Sequence, residues 1–324
     1  MDILVYGAGV IGSVYAARLK AAGHNISLLA RGRRAVSLRA HGIQLEDAST
    51  GRRTTTQVSV VEQLAPTDRY DVVIVTVRLN QLHSILPVLA ANHEIPTLLF
   101  LLSNPAGLRQ FEELDPQRVV PGFPAVGGVR KGDVVHYMAQ GTTMLGEVDG
   151  RVTSRLRQLA AVFKQAGFTV KLSPDMQTWW KTHAIMDMGI IIVAVMMMGG
   201  SAQLARSRRH VVMLVQAMRE GLLALRALGT PLTPFSLTAL FLWLPRWLTV
   251  ILFQLLLRTR LAVLGIDAHL GDDMEEIRQV AREIMAQLRS SPLATPTLNR
   301  LMVVLEQTTH ELRTASTSTE KHLS

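Results

Sequence analysis

Short β-branched and aliphatic runs alternate with amphipathic stretches over residues 2 to 172, and from residue 173 onward the texture is helical. The first pattern is that of a doubly wound parallel sheet, in which crossover helices separate the strands. Residues 3–6 predict the first strand, 13–22 a helix stopped by Gly23, and 25–29 the second strand. Residues 71–77 and 97–102 are continuous apolar runs, as strands covered on both faces must be. Residues 134–136 and 143–146 predict later strands around a turn at Gly141.

In the second part, Ser173 reads as an N-cap, Pro174 as the first helical position and Asp175 as an early carboxylate. The helix they open is expected to run to Gly199-Gly200, with further helices over 203–228, 272–290 and 297–313. These patterns predict an α/β fold: a Rossmann domain over 1–172, an all-helical domain over 173–314, and a polar tail over 315–324. Two stretches are unusually apolar: 186–198 has only Asp187 as a charge, and 236–257 only Arg246. The second is long enough to span a bilayer. Pro245 splits it into two pieces that are too short, and Arg246 would cost about 2.5–3.5 kcal/mol near mid-membrane. It is expected to form buried or interface-forming helices, with membrane-surface or partner contact as the alternatives.

The hexapeptide Gly7-Ala8-Gly9-Val10-Ile11-Gly12 fits G-x-G-x-x-G, and it follows a strand and opens a helix. That context turns a weak motif into a dinucleotide site. The first glycine allows the tight turn, the second lets the pyrophosphate approach the backbone, and the third lets helix and strand pack closely. A glycine turn without a ligand is the competing reading. About 20 residues on, where NAD-specific domains place an acidic residue on the ribose 2′-hydroxyl, the chain has Arg31, Gly32, Arg33 and Arg34. Guanidinium groups attract a 2′-phosphate, so the expected cofactor is NADP(H), with Arg31 assisted by Arg33 or Arg34. A solvated basic turn is the alternative.

Composition narrows the remaining classes. The 324 residues contain no cysteine, which excludes disulfides and thiolate metal sites. The histidines lack ligand spacing, so no metal is expected. The net charge of +9 invites a nucleic-acid reading, but the basic residues are scattered and no nucleic-acid motif accompanies them. The N-terminus opens straight into a strand without a basic leader, and a cytoplasmic location is expected.

Taken in order, several landmarks resemble the ketopantoate reductase (2-dehydropantoate 2-reductase) family over nearly the whole chain. They are the Gly7 to Gly12 fingerprint, Gly23-His24, Arg31, Thr76-Val77-Arg78, Ser103-Asn104-Pro105-Ala106-Gly107, Gly141 to Gly146, Trp179-Trp180-Lys181, Glu276-Ile277 and Pro296. The resemblance implies an NADP-binding Rossmann domain joined to a helical domain, 173–314, for substrate and dimerisation, and NADPH-dependent reduction of a branched 2-oxo acid. It implies that Lys181 is the general acid, that Asn104 lies beside the nicotinamide, that Arg78 lies near the cofactor, and that Glu276 holds substrate and lysine. The residues themselves allow plainer roles: a boundary lysine that snorkels for Lys181, a turn for Asn104, and a helix-dipole carboxylate for Glu276.

The chain also departs from the family pattern. Arg78 stands where a lysine is usual, Ile185 and Gly189 replace substrate-binding asparagines, and Leu264 replaces a serine that touches the substrate carboxylate. A site short of polar groups suits a more apolar carbonyl compound than ketopantoate. Two further readings stay open: a non-catalytic NADP-binding sensor or scaffold, and a membrane-associated oxidoreductase using 236–257 as an anchor. A homodimer is a candidate assembly.

Overall fold

A computed structural model of the chain describes residues 1–139, 141–186, 190–259, 262, 266 and 274–305. The chain divides into two compact units, Met1–Trp180 and the residues from Lys181 onward.

The first unit begins with β1 (Asp2–Tyr6), α1 (Val10–Ala21) and β2 (Asn25–Leu29). Gly23 closes α1 at φ +90°, while the Gly23 and His24 amides bond the Lys20 and Leu19 carbonyls. This left-handed stop turns the chain into β2, as the glycine implied. After α2 (Gly32–His41) come β3 (Ile43–Asp47), β4 (Arg53–Thr56) and β5 (Ser59–Val61). Then follow β6 (Val72–Val75), α3 (Leu79–Ala91) and β7 (Leu98–Leu101). Every residue of β6 and β7 is buried, matching their unbroken apolar sequence. The unit continues with β8 (Val119–Phe123), β9 (Gly127–Lys131), β10 (Val134–Met138), β11 (Thr143–Leu145), α4 (Ser154–Gln165) and β12 (Val170–Leu172).

The main sheet has the order β12-β11-β8-β7-β6-β1-β2-β5 and is parallel except where β11 meets β8. Its order reverses between β1 and β6, the switch point at which such sheets bind ligands. A second sheet, β4-β3-β10-β9, was not legible in the pattern. It corrects the expected relation of 134–136 to 143–146, because β10 belongs to this small sheet and β11 to the large one. The small sheet packs on α1, whose other side meets β1 and β2. Covered on both sides, α1 buries residues all round, including Val14, Tyr15, Ala16 and Leu19. Burial pushes the Tyr15 phenol up to about 12, against the opposing hydrogen bonds to Thr143 Oγ1 at 2.6 Å and from the Ala125 amide at 3.1 Å.

The second unit has no strand among its described residues. α5 (Met176–Met186) leads into it and α6 (Ile190–Met198) follows. Asp175, rather than Ser173, caps α5: its carboxylate accepts from the Thr178 amide at 2.8 Å, and Ser173 Oγ accepts from the Asp175 amide. The helix expected over 203–228 is broken at Ser207 into α7 (Ser201–Arg206) and α8 (Arg208–Ala227), and Ser207 Oγ meets His210 Nδ1 at 2.6 Å. Pro245 separates α9 (Phe235–Leu242) from α10 (Arg246–Leu257), as the proline implied. α11 (Met274–Leu288) precedes a helix over 296–305, and the rest of the expected 297–313 helix and the 315–324 tail lie outside the described residues. Met176–Met198 is the one stretch among the described residues long and apolar enough to cross a membrane, and 67% of its window is buried inside the molecule. That burial is what a core helix shows.

Candidate functional site

The glycine loop sits at the switch point of the main sheet, between the end of β1 and the start of α1. Its three glycines do different things. Gly7 takes φ +121°, and a β-carbon there would come within 3.1 Å of Thr76 Oγ1. A β-carbon on Gly12 would fall 1.8 Å from the Gly7 carbonyl oxygen and 2.6 Å from Thr76 Oγ1. Thr76 holds this turn from the neighbouring strand, its hydroxyl donating to the Gly7 carbonyl at 3.0 Å. A β-carbon on Gly9, by contrast, would meet nothing within 4 Å. Gly9 is the N-cap of α1, with φ −76° and ψ −162°, and no side chain occupies the cap. No acidic residue lies in the first turn. Gly9 is exposed and Val10 and Ile11 half-buried, so the start of this 12-residue helix is open to solvent. That geometry fits a pyrophosphate.

Arg31 lies two residues beyond β2 and is the N-cap of α2. Its Nε donates to the Glu62 carbonyl at 3.3 Å and its guanidinium NH2 to the Tyr6 hydroxyl at 3.3 Å. The β1–β2 register sets Tyr6 opposite Leu29, which brings that hydroxyl to the arginine. Sequence spacing contains no sign of this contact, because it depends on strand pairing. Arg33 is exposed. Arg34 has other partners. It donates to the Asp133 carbonyl and to Ser13 Oγ, both at 3.3 Å, and its side chain is only 11% exposed. Burial lowers its guanidinium below the usual range, with Arg130 adding to the effect and Asp133 opposing it.

Arg78 follows β6 and is the N-cap of α3, its amide donating to Gln81 Oε1 at 3.3 Å. Asn104 is fully buried after β7. Its side-chain amide donates to the Gly107 carbonyl at 2.9 Å and its oxygen accepts from the Gly107 amide at 3.1 Å. Both ends of the amide thus brace the turn into the 3-10 helix Gly107–Phe111.

Lys181 is the first residue of the second unit. The two tryptophans before it anchor α5 to the first: Trp180 Nε1 donates to the Gly122 carbonyl at 3.1 Å, and the Trp179 ring lies 4.8 Å from that of Phe123. Lys181 is half-buried, between buried Trp180 and Thr182, and its side chain forms no ion pair or hydrogen bond among the described residues. One turn later Ile185 is buried, so close to Gly221 of α8 that a β-carbon there would approach Ile185 Cγ2 to 2.9 Å. The apolar residue at that family position is therefore a packing contact within the helical unit. Glu276 lies with Glu275 in the first turn of α11 and is half-buried. Glu275 is engaged by Arg278 and Arg282 at 2.7 and 2.6 Å. Gly189 and Leu264 lie outside the described residues. No cluster of metal-ligating side chains occurs among the described residues.

Known proteins bear on this arrangement in three ways. The sequence profile of the family described as ketopantoate reductase PanE/ApbA matches residues 3–150. A 2-dehydropantoate 2-reductase of Archaeoglobus fulgidus is 28% identical over 182 residues, covering 54% of this chain and 57% of the relative. The chain thus matches a little over half the length of that relative. Among solved structures, the 2-dehydropantoate 2-reductase of Geobacter metallireducens superposes with a TM-score of 0.76 at 20% identity, covering 95% of this chain and all of the other. D-mandelate dehydrogenase in ternary complex with NADH and anilino(oxo)acetate superposes with a TM-score of 0.78 at 16% identity, over 97% and 99% of the two chains. At such identities the structural likeness establishes the fold.

Proposed function

We propose, on the match of residues 3–150 to the ketopantoate reductase PanE/ApbA family, that the chain is an NADPH-dependent reductase of a 2-oxo acid or a related ketone. The observation that carries the reading is the pairing of an open, glycine-lined helix start with an arginine where a ribose-binding carboxylate would otherwise stand. The first amides of α1 hold the pyrophosphate, with Gly9 leaving room for it. Arg31, held by Tyr6 and Glu62, receives the 2′-phosphate, and Arg78 adds positive charge at the head of α3.

When bound, the nicotinamide supplies a hydride to the carbonyl carbon. Lys181 then has two roles: its ammonium stabilises the negative charge gathering on the carbonyl oxygen, and it delivers a proton to that oxygen. Glu276 orients substrate and lysine, and Asn104 lines the nicotinamide end. With Ile185 buried in apolar packing, the substrate is a less polar oxo acid than ketopantoate. The aromatic oxo acid bound to D-mandelate dehydrogenase, which shares the fold, supports that direction. The enzyme acts in the cytoplasm as a homodimer. The bracing of Asn104 by Gly107 favours one second reading, in which the chain binds NADP without turnover.

NADPH oxidation, followed with ketopantoate and a panel of branched and aromatic 2-oxo acids, tests the proposal. The expected result is turnover that Lys181→Ala lowers by a factor of about 100 or more in kcat, with NADPH affinity kept. Tight NADPH binding without turnover on any of these acids would select the second reading.

A further inference from the structure

The α9–α10 hairpin carries more apolar surface than its own packing uses. On one side α10 buries Thr249, Val250, Phe253 and Leu257, and the helix packs on α7 and α8. On its other side Trp247, Ile251 and Leu255 repeat every fourth residue and are exposed, and Leu252 and Leu256 widen the stripe. Trp243, just before the Pro245 corner, is 72% exposed. Helix positions spaced by four share one face, so these side chains form a continuous apolar strip. Its ends are cationic: Arg246 opens α10, Arg258 follows it, and both are exposed.

Charge decides what meets this strip. Residues 201–259 contain seven arginines and one carboxylate, Glu220, and so carry six of the chain's nine net positive charges. Glu220 is occupied, accepting from the Thr297 and Leu298 amides and the Thr297 hydroxyl. Gln254 of α10 bonds the Ala205 carbonyl at 3.0 Å, which brings the exposed residues Arg206, Arg208 and Arg209 to the flank of the helix. A second copy docked through the same face would set these arginine rims against each other. The complementary surface is apolar within and anionic at its boundary.

We propose that this face of the helical unit rests on a membrane surface containing anionic phospholipid. Leu255 and Ile251 enter the acyl boundary, the indoles of Trp243 and Trp247 lie at headgroup level, and the arginines meet lipid phosphates. The Pro245 corner and the exposed Arg246 keep the hairpin on the surface instead of across it.

The test is sedimentation of the full-length protein with vesicles of phosphatidylcholine alone and of phosphatidylcholine mixed with phosphatidylglycerol. Binding is expected only to the mixed vesicles, weakening as salt is raised. Leu255→Glu should abolish binding while the circular dichroism spectrum stays unchanged, since that side chain is more than half exposed. Arg258→Gln should weaken binding about fivefold. Absence of binding to the mixed vesicles, or equal binding to both compositions, would overturn the proposal. So would a dimer in analytical ultracentrifugation that Leu255→Glu dissociates and that ignores lipid, which would assign the strip to a second copy.

Discussion

Replacing Gly9 by alanine separates ligand binding from packing in the glycine loop. The backbone at Gly9 is extended, with φ −76° and ψ −162°, so an alanine adopts it without strain. Its β-carbon would meet no protein atom within 4 Å. Alanine is a poorer N-cap than glycine, but it also restricts the unfolded chain, and the two effects oppose each other at a few tenths to about 1 kcal/mol each. The ligand-free variant should therefore match the wild type within about 0.5 kcal/mol. The added methyl group fills the approach to the first amides of α1 and removes one or more charge-assisted hydrogen bonds of about 1.5–3 kcal/mol. NADPH affinity should fall roughly 10- to 100-fold. NADPH at 100 times the wild-type Kd should stabilise the wild type by about 2.7 kcal/mol, and a variant weakened 30-fold by about 0.9 kcal/mol. Gly12→Ala is the control, because its β-carbon would sit 1.8 Å from the Gly7 carbonyl oxygen and force helix from strand. It should cost about 1–3 kcal/mol or more without any ligand. Urea denaturation with and without NADPH measures all of these quantities. Wild-type NADPH affinity in Gly9→Ala, or a ligand-free loss above about 1 kcal/mol, would refute the reasoning.

Further outcomes follow from the same geometry. Arg31→Ala should weaken NADPH by about tenfold or more and leave NADH unchanged, whereas Arg34→Ala should lower stability by about 1–2 kcal/mol and leave the NADPH-to-NADH ratio alone. Calorimetry with both dinucleotides checks this, and a changed ratio in the Arg34 variant would return that residue to the cofactor site. Glu220→Ala should destabilise the helical unit by about 1–2 kcal/mol, since its carboxylate receives the first amides of the 296–305 helix; an unchanged denaturation midpoint would contradict this. The Glu275 carboxyl is held below the usual range, first by Arg282 and then by Arg278. That stabilisation is complete above the ordinary glutamate range and is lost as pH falls through the depressed folded value. The group is 43% exposed, so solvent limits the effect to under about 1 kcal/mol. Glu275→Gln should flatten the acid limb of the stability profile by that amount, and an unaltered limb would show the pair to be inert.

Much of the fold was legible where a local pattern carries the information. β2 was read to the residue, and β6 and β7 followed from apolar runs that only a doubly covered strand tolerates. The loop Gly7 to Gly12 was recognisable because strand, turn and helix are contiguous in the chain. The small sheet was not, since β4 reads Arg-Thr-Thr-Thr and is nearly all exposed, and the pairing of β3 with β10 that joins its two hairpins brings together segments far apart in sequence. Likewise, Ser207 looked like one more helical residue until its hydroxyl met His210.

What the chain determined unaided was everything set by neighbours a few residues apart: the alternation of strand and helix, the helix stop at Gly23, the corner at Pro245 and the glycine bend. The tertiary structure decided the tasks of individual side chains. Three arginines after β2 are equivalent in one dimension, yet pairing of β1 with β2 hands Arg31 to Tyr6, while the packing of the small sheet on α1 diverts Arg34 to Asp133 and Ser13. Backbone periodicity is a local property, whereas the partners of a long flexible side chain are chosen by distant segments that only folding brings within hydrogen-bond reach.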